Sequence, residues 1–313
     1  MFLIGKNPNK LIEIMNLEIG KVTEWLTINK LSLNLKKTHF MLFKKSKTRF
    51  VLDTDLVIDG MKICKVDKTK FLGVVIDPGL TFQSHIMYIK GKIARGVGIL
   101  GKCRRYLNES TLLTLYYSFV YPYFNYCNSI WGNAGQVYLE PLVKLQKRAI
   151  RIICNVNRRA HTEPLFKRLG VMNLSTLFVY CIQQFMFKLH HSLIVWKRLE
   201  DQENLEDHEK DDSKQPLNPN HSLTHSLLPD IFKDFFKKNN SIHTYFTKQS
   251  THMHLYGAKS SPKVRSIRTI GANIYNYFHD KLSMDCKLMT YKFHLKRYFI
   301  DNDVSFLNNI STI

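Results

Sequence analysis

The chain is 313 residues long, with 44% apolar residues and a formal net charge of +21. That apolar share can build cores for two ordinary domains and excludes a globally disordered chain. A charge so far from zero exceeds what solubility requires and points to a polyanionic partner, nucleic acid ahead of an acidic membrane surface.

The charge is uneven. Residues 1–199 carry 31 Lys and Arg against 11 Asp and Glu, residues 200–213 carry eight acids and one lysine, and residues 214–313 carry 14 basic and six acidic side chains. The acidic run reads as a solvated linker closing the first basic body. The cysteines at 64, 103, 127, 154, 181 and 286 form no CxxC pair, which supports neither a zinc knuckle nor a disulfide framework and fits a reducing intracellular compartment. No run of 18 uncharged apolar residues exists, so no membrane span is expected. The opening MFLIGKNPNK turns polar too soon for a signal peptide and reads as a start inside a domain.

In chain order, Pro8 can open a helix, and Leu11, Met15, Glu18/Ile19, Val22 and Trp25/Leu26 recur near a 3.6 period, predicting a helix over 9–28. Residues 38–43 read as a buried strand. Asp59-Gly60 between apolar segments predicts a hairpin within 56–66, and 70–76 predicts a further short strand stopped by Pro78-Gly79. Beyond Pro78 the period becomes helical. Helices are expected over 82–105 (Phe82, Ile86, Ile89, Ile93, Val97, Leu100 inward), 109–121 (Leu112, Leu115, Tyr116, Phe119), 137–155 (Leu139, Leu142, Val143, Gln146, Ile150, Ile153) and 173–197. Gly91, Gly96, Gly98 and Gly101 weaken the first of these or allow a close neighbour. Residues 200–222 read as disordered, 223–256 as short irregular pieces, and 271–298 as helix with Ile274, Phe278, Leu282, Met289, Phe293 and Tyr298 on its apolar face. The expected division is 1–79, a helix with short strands; 80–199, a helical body; the 200–222 linker; and a mainly helical tail over 223–313.

Lys144, Arg148 and Arg151 are spaced i, i+4, i+7 and form one basic stripe, flanked by Lys147, with Arg104 and Arg105 as a second patch. Such a face suits phosphate contact without base readout, and plain solvation is the competing account. Arg158-Arg159 falls in a loop. Trp131 and Tyr126 could stack on bases, though core packing is the commoner use of such residues. Asp53 and Asp55 would share a face if 51–57 were a strand, but no third acid is placed by pattern for two-metal chemistry. Asp211-Asp212 lies in the acidic run. His221/His225 and His252/His254 have spacings a metal could use, but neither pair has a further ligand at zinc spacing, and no metal site is assigned. His190-His191 point in different directions on a helix. No phosphate-binding Gly-rich loop, HExxH or GxSxG is present.

Residues 22–43, VTEWLTINKLSLNLKKTHFMLF, followed by TKFLGVVID at 69–77 and then a long basic helical stretch, resemble the last part of a non-LTR, LINE-type reverse transcriptase of the jockey-like group. Further pieces carry the likeness: Arg104-Arg105-Tyr106-Leu107, Leu115-Tyr116, Tyr121-Pro122 with Tyr126, Trp131-Gly132, and Leu145-Gln146-Lys147-Arg148-Ala149-Ile150-Arg151. Ser266-Ile267-Arg268 with Gly271-Ala272 and Ile274-Tyr275-Asn276 resemble the family's tail, Tyr275 standing where a tryptophan is usual. The resemblance implies an α+β fold: an incomplete palm remnant of one helix and short antiparallel strands, then a mainly helical thumb and connection. It implies that Lys37 sits on the nucleotide side of the palm and that Phe71-Leu72-Gly73 corresponds to the primer-grip hairpin. The family's aromatic-X-Asp-Asp motif precedes this region; the 21 residues before Val22 hold no aspartate. The expectation is a catalytically incomplete fragment with no cofactor of its own, the intact enzyme using Mg²⁺. Its partners would be nucleic-acid backbone and the upstream polymerase part. The alternatives are a domesticated scaffold binding protein or RNA, and a translated relic without evolved function.

Overall fold

The computed structural model describes residues 1–43, 52–206, 228–229, 232, 235–242, 249–255, 257 and 266–302. The chain divides into two compact units, Met1–Ile89 and Lys90–Ile313. It is mostly helical with a few short strands, broadly an α+β chain.

The first unit opens with α1, Pro8–Ile28. Pro8 occupies its first turn, and the Asn7 side chain caps it by accepting from the Asn9 and Lys10 N–H groups. At the other end Lys30, at φ 57, turns left-handed, while Asn29 stays at φ −84; the sequence favours Asn29 for the left-handed role, and the structure gives it to Lys30. The Lys30 N–H then reaches Thr27 O and the Leu31 N–H reaches Leu26 O, at 3.0 and 2.8 Å, the paired bonds of a Schellman ending. The core side of α1 is Ile12, Met15 and Ile19, packed with Leu56, Ile58, Ile63, Leu35, Phe40 and Leu52. Val22 and Trp25, expected inward, are exposed.

Among the described residues, three two-stranded sheets follow. β1 (His39–Phe40) pairs in parallel with β4 (Cys64–Lys65), so the strand expected over 38–43 shrinks to two residues. β2 (Val57–Ile58) and β3 (Met61–Lys62) form the expected hairpin, with Asp59 and Gly60 at φ 50 and 74 as a two-residue primed turn requires. The strand expected over 70–76 is itself a hairpin, β5 (Thr69–Phe71) with β6 (Val74–Ile76), turning at Leu72 (φ 44) and Gly73 (φ 84).

Residues 52–56 are not a strand. Two asparagines about two turns apart on one face of α1 substitute for a partner strand. Asn9 Nδ2 donates to Asp53 Oδ2 (2.5 Å) and its Oδ1 accepts from the Asp53 N–H (3.1 Å). Asn16 Nδ2 donates to Asp55 O (3.1 Å) and its Oδ1 accepts from the Val57 N–H (3.0 Å). Each amide presents a donor and an acceptor to backbone or side chain, as a neighbouring strand would.

Helix α2 spans Gln83–Cys103. Ahead of it Asp77 gathers the chain: Oδ1 accepts from the Gly79 and Thr81 N–H groups, Oδ2 from Thr81 Oγ1 and, at 2.8 Å, from the Phe82 N–H. All six expected inward positions, Phe82, Ile86, Ile89, Ile93, Val97 and Leu100, are buried.

In the second unit α3 (Glu109–Phe119) buries Leu112 and Tyr116 and leaves Phe119 46% exposed, against expectation. Of the four glycines of α2, Gly96 is the one under close approach: a Cβ there would meet Phe119 O and Val120 Cγ2 at 2.8 Å. After α3 come α4 (Tyr121–Asn125), opened by Pro122, and α5 (Asn128–Trp131). α6 (Gln136–Ile153) and α7 (Glu163–Leu169) lead to α8, Leu174–Glu206. α8 is buried along most of its length through Trp196, consistent with its scarcity of charge before Lys188. It continues to Glu206, so the acidic run expected as linker from 200 begins as helix; residues 207–227 lie outside the described residues.

The helix expected over 271–298 is two, α9 (Ile267–His279) and α10 (Leu288–Asp301). Between them Ser283 Oγ accepts the Asp285 N–H, an alternative to helical bonding. The break resets the helical phase. Tyr291, Leu295 and Phe299 are buried, while Met289 and Phe293, expected inward, are 75% and 62% exposed. Both helices pack on α8: Gly271 lies against Met186 Sδ, and the Tyr291 ring stacks on Phe187 with centroids 4.1 Å apart. Among the described residues of the 223–256 stretch, a 3₁₀ turn at Asn239–Ser241 and an antiparallel bridge from Lys238 to Met253 appear. No single helix among the described residues is long and apolar enough to cross a membrane.

His190 on α8 is buried, with Nδ1 2.8 Å from Tyr275 Oη. Burial, then the charges of Lys238, His191 and His279, push its pKa down to about 4, with Asp285 opposing. A lowered folded value means the unfolded chain takes up the proton first. The stabilisation is therefore complete above pH 6.5 and declines as pH falls toward 4. We expect roughly 1–2 kcal/mol of unfolding free energy to be lost between about pH 7.5 and pH 5, the full shift discounted for partial solvation. Urea unfolding at the two pH values tests this. His190→Asn, which keeps an acceptor near Nδ1 and cannot titrate, should flatten the dependence; an equal loss in that variant would move the cause elsewhere.

Candidate nucleic-acid interface

α6 has one apolar and one basic side because its residue types alternate at helical spacing. Leu139, Leu142, Gln146, Ala149, Ile150 and Ile153 are buried. Gln146 is fully satisfied: Nε2 donates to Tyr116 Oη and Met172 O, both at 3.0 Å, and Oε1 accepts the Leu174 N–H at 2.9 Å. With that side fixed in the core, Glu140, Lys144, Lys147 and Arg148 are exposed.

The expected stripe of Lys144, Lys147, Arg148 and Arg151 divides. Lys144 pairs with Glu140 at 2.8 Å, an exposed i, i+4 contact that contributes little to stability. Its hydrogen bond, then its charge, hold the Glu140 carboxyl below the usual range. Arg151 is half-buried and its Nε donates to Ala160 O at 2.9 Å. This corrects the expectation that all four are simply exposed: Arg151 holds the loop after α6.

Arg104, just beyond the end of α2, acts on the same loop. Its Nε donates to Asn155 Oδ1 at 2.6 Å, with a second contact from Nη2, and Asn155 sits left-handed at φ 52. Two arginines thus clasp residues 155–160, and that loop carries Arg158 and Arg159, both exposed. Arg105 is exposed beside Arg104. The sequence suggested three separate basic pieces; the structure links Arg104, Arg151 and the Arg158-Arg159 loop. The signal was long-range, since Arg104 and Asn155 stand 51 residues apart.

Trp131 is fully buried and its Nε1 donates to Tyr126 O at 2.8 Å, which makes it a core residue. Tyr126 is 54% exposed.

In the first unit Lys37 ends a 3₁₀ turn, Leu35–Lys37, that Asn34 caps by accepting the Lys37 N–H at 3.2 Å. Its side chain is exposed. Phe71 and Leu72 are 61% and 74% exposed at the β5–β6 turn. Phe71 is therefore not a core residue. His39 Nε2 lies 2.5 Å from Thr69 Oγ1, tying the strand after Lys37 to the base of this hairpin. The hairpin base is held further by Lys70 Nζ, 5.1 Å from the Tyr88 ring centroid, and by the Val75 N–H donating to Nδ1 of buried His85 at 3.4 Å. Burial, then Lys70, keep the His85 pKa below its ordinary value. Sequence reading passed over His85 because a lone histidine on an apolar helix face carries no pattern.

Asp53 and Asp55 are committed elsewhere: Asp53 to Asn9, and Asp55 Oδ2 to Lys62 Nζ at 2.6 Å. A groove of about 390 Å³ between α1 and the β2–β3 hairpin contains neither of them.

The chain is 25% identical over 137 residues to a "Probable RNA-directed DNA polymerase from transposon X-element" of Drosophila melanogaster, which covers 42% of this chain and 15% of that protein. This similarity supports a retrotransposon reverse-transcriptase-related origin. A second relative, an uncharacterized protein of Caenorhabditis elegans, is 30% identical over 107 residues, 33% of this chain and 54% of the relative. The aligned stretches thus span 15% and 54% of the two relatives' own lengths. No family model and no solved structure matches.

Proposed function

We propose that this chain is the C-terminal part of a LINE-type, jockey-like reverse transcriptase, comprising a palm remnant over 1–79, a thumb-like body over 80–199 and a tail, and that it binds RNA or DNA through the backbone without sequence preference. The observation that carries this reading is the exposed Lys144, Lys147 and Arg148 face of α6, opposite a buried, mainly apolar side, in a stretch of net charge +20. Arg105, Arg158 and Arg159 extend it. Phosphate tracking needs charge in register, not base-edge contacts.

In this reading the chain does not polymerise alone. Two-metal phosphoryl transfer requires carboxylates free to share ions, and Asp53 and Asp55 are engaged with Asn9 and Lys62. Mg²⁺ belongs to the acids of the upstream polymerase part, which is the second partner. The apolar residues Ile14, Leu17, Val22, Trp25 and Ile28 on α1, exposed among the described residues, suit that role. Lys37 and the Phe71-Leu72-Gly73 turn, both exposed, would face nucleotide and primer strand in the assembled enzyme.

The test is a triple variant, Lys144→Ala with Lys147→Ala and Arg148→Ala, leaving Arg151 in place because it holds Ala160. Each lost phosphate contact removes about 0.9 from the slope of log K against log salt, so the slope should flatten by roughly 2–3. Affinity should fall alike for every sequence. An unchanged slope in the folded variant would assign this face to solvation.

A further inference from the structure

His252, His279 and Asp280 converge at the C-terminal end of α9. His252 Nε2 is 3.3 Å from Asp280 Oδ2, His279 Nδ1 is 3.1 Å from Asp280 Oδ1, and the donor atoms of the three residues all lie within 4.8 Å of one another. His252 and His254 have a spacing a metal could use, but the sequence placed no further ligand beside them. The structure separates them: His254 Nδ1 meets Asn239 Oδ1, and His252 turns to a histidine 27 residues later.

The arrangement is held from outside. Asn276, one turn before Asp280 on α9, uses both amide atoms on Met253: Oδ1 accepts its N–H at 2.8 Å and Nδ2 donates to its carbonyl at 2.9 Å. Met253 is fully buried, and the His252 carbonyl accepts the Asn239 N–H at 2.9 Å. The backbone carrying His252 is therefore pinned to the helix that carries the other two residues. The His279 ring lies between Tyr275 and His252, with centroids 5.3 Å from each. The neighbouring Lys281 ammonium rests over the Tyr277 ring.

The spacing matches a metal polyhedron. A tetrahedral zinc ion with bonds of about 2.0–2.1 Å has ligand–ligand edges of about 3.3 Å, close to the 3.1 and 3.4 Å that separate His279 Nδ1 and His252 Nε2 from the single oxygen Asp280 Oδ1. Two imidazole nitrogens with one carboxylate suit zinc and its transition-metal neighbours; calcium and magnesium prefer all-oxygen sets. The histidines are mostly sheltered, at 12% and 22% side-chain exposure, while Asp280 is 69% exposed and leaves room for water as a fourth ligand.

We propose that His252, His279 and Asp280 bind one zinc ion, which fastens the 249–255 segment to the end of α9. The site is independent of the basic face of α6. Ordinary hydrogen bonding of two imidazoles to one carboxylate is the competing account, and metal binding separates the two.

The experiment uses the full chain, stripped with chelator and titrated with zinc sulfate, then with cobalt(II) as a spectroscopic probe. Wild type should bind one tight equivalent, gain visible cobalt absorption of a low-coordinate nitrogen–oxygen site, and melt higher with zinc than without. Asp280→Asn changes an exposed side chain and should leave the fold intact while lowering zinc affinity at least tenfold. It should also abolish the rise in Tm. His252→Asn should do the same, and the double variant His221→Gln/His225→Gln should match wild type. Zinc affinity and Tm response unchanged in folded Asp280→Asn, or no tight equivalent in wild type, would overturn the proposal.

Discussion

Gln146→Leu is expected to destabilise the second unit by roughly 3–5 kcal/mol, since a buried group left without its partner costs about 1–3 kcal/mol each. The change orphans three such groups at once: Tyr116 Oη, Met172 O and the Leu174 N–H. Leucine matches the volume but offers neither donor nor acceptor. Tyr116 is fully buried, and burial drives its phenol pKa up, so it stays protonated and cannot recover by ionising. The links run from α6 to α3 and to the start of α8, so the loss should appear in the cooperative unfolding of the unit, not as local fraying. Urea unfolding followed by far-UV circular dichroism reads it as a lower midpoint. A midpoint within experimental error of wild type would mean that Gln146 does not join these elements.

Trp131→Ala should cost a similar amount, about 3–5 kcal/mol, as expected for truncating a large buried aromatic. Its ring is fully buried, and its Nε1–H is the donor to the Tyr126 carbonyl. Gly132 beside it is packed so tightly that a Cβ would meet Phe178 at 2.7 Å, so the surroundings have little freedom to collapse into the cavity. Because Trp131 is core, nucleic-acid affinity measured under conditions where the variant is folded should match wild type. Lost affinity with intact stability would make Trp131 a stacking residue. Tyr126→Ala, at a half-exposed position, should change stability by less than about 1 kcal/mol.

Several elements were legible because one local rule decided them. Asp59-Gly60 can only turn a hairpin if both residues take positive φ, and these residue types tolerate it. α6 was legible because its apolar period is strong and uninterrupted. The buried row of α2 was read correctly despite four glycines, since three of them are not under close contact and only Gly96 is. The β5–β6 hairpin was not legible as a turn because Leu72 adopts a left-handed φ that leucine disfavours, and surrounding contacts override the propensity. The break between α9 and α10 has neither proline nor glycine to announce it. Missing it moved Met289 and Phe293 to the wrong face.

The candidate site was legible in part. Lys144, Lys147 and Arg148 lie where helical spacing put them. Arg104 was counted with them by charge and Arg151 by helical spacing, but their positions are set by hydrogen bonds to Asn155 and Ala160 that no local pattern encodes. The pairing of His252 with His279 and Asp280 is of the same kind, created by Asn276 clamping a distant backbone segment. Contacts with Asn9 and Lys62 likewise removed the Asp53 and Asp55 carboxylates from any free pair.

Fluorescence anisotropy of the full chain on several unrelated RNA and DNA duplexes, across a range of salt concentrations, tests the central claim most directly. The account predicts near-equal affinities for all sequences, with log K falling linearly as log salt rises, as counterion release from the phosphates requires. No binding at low salt, or an affinity that depends on sequence and barely on salt, would contradict it.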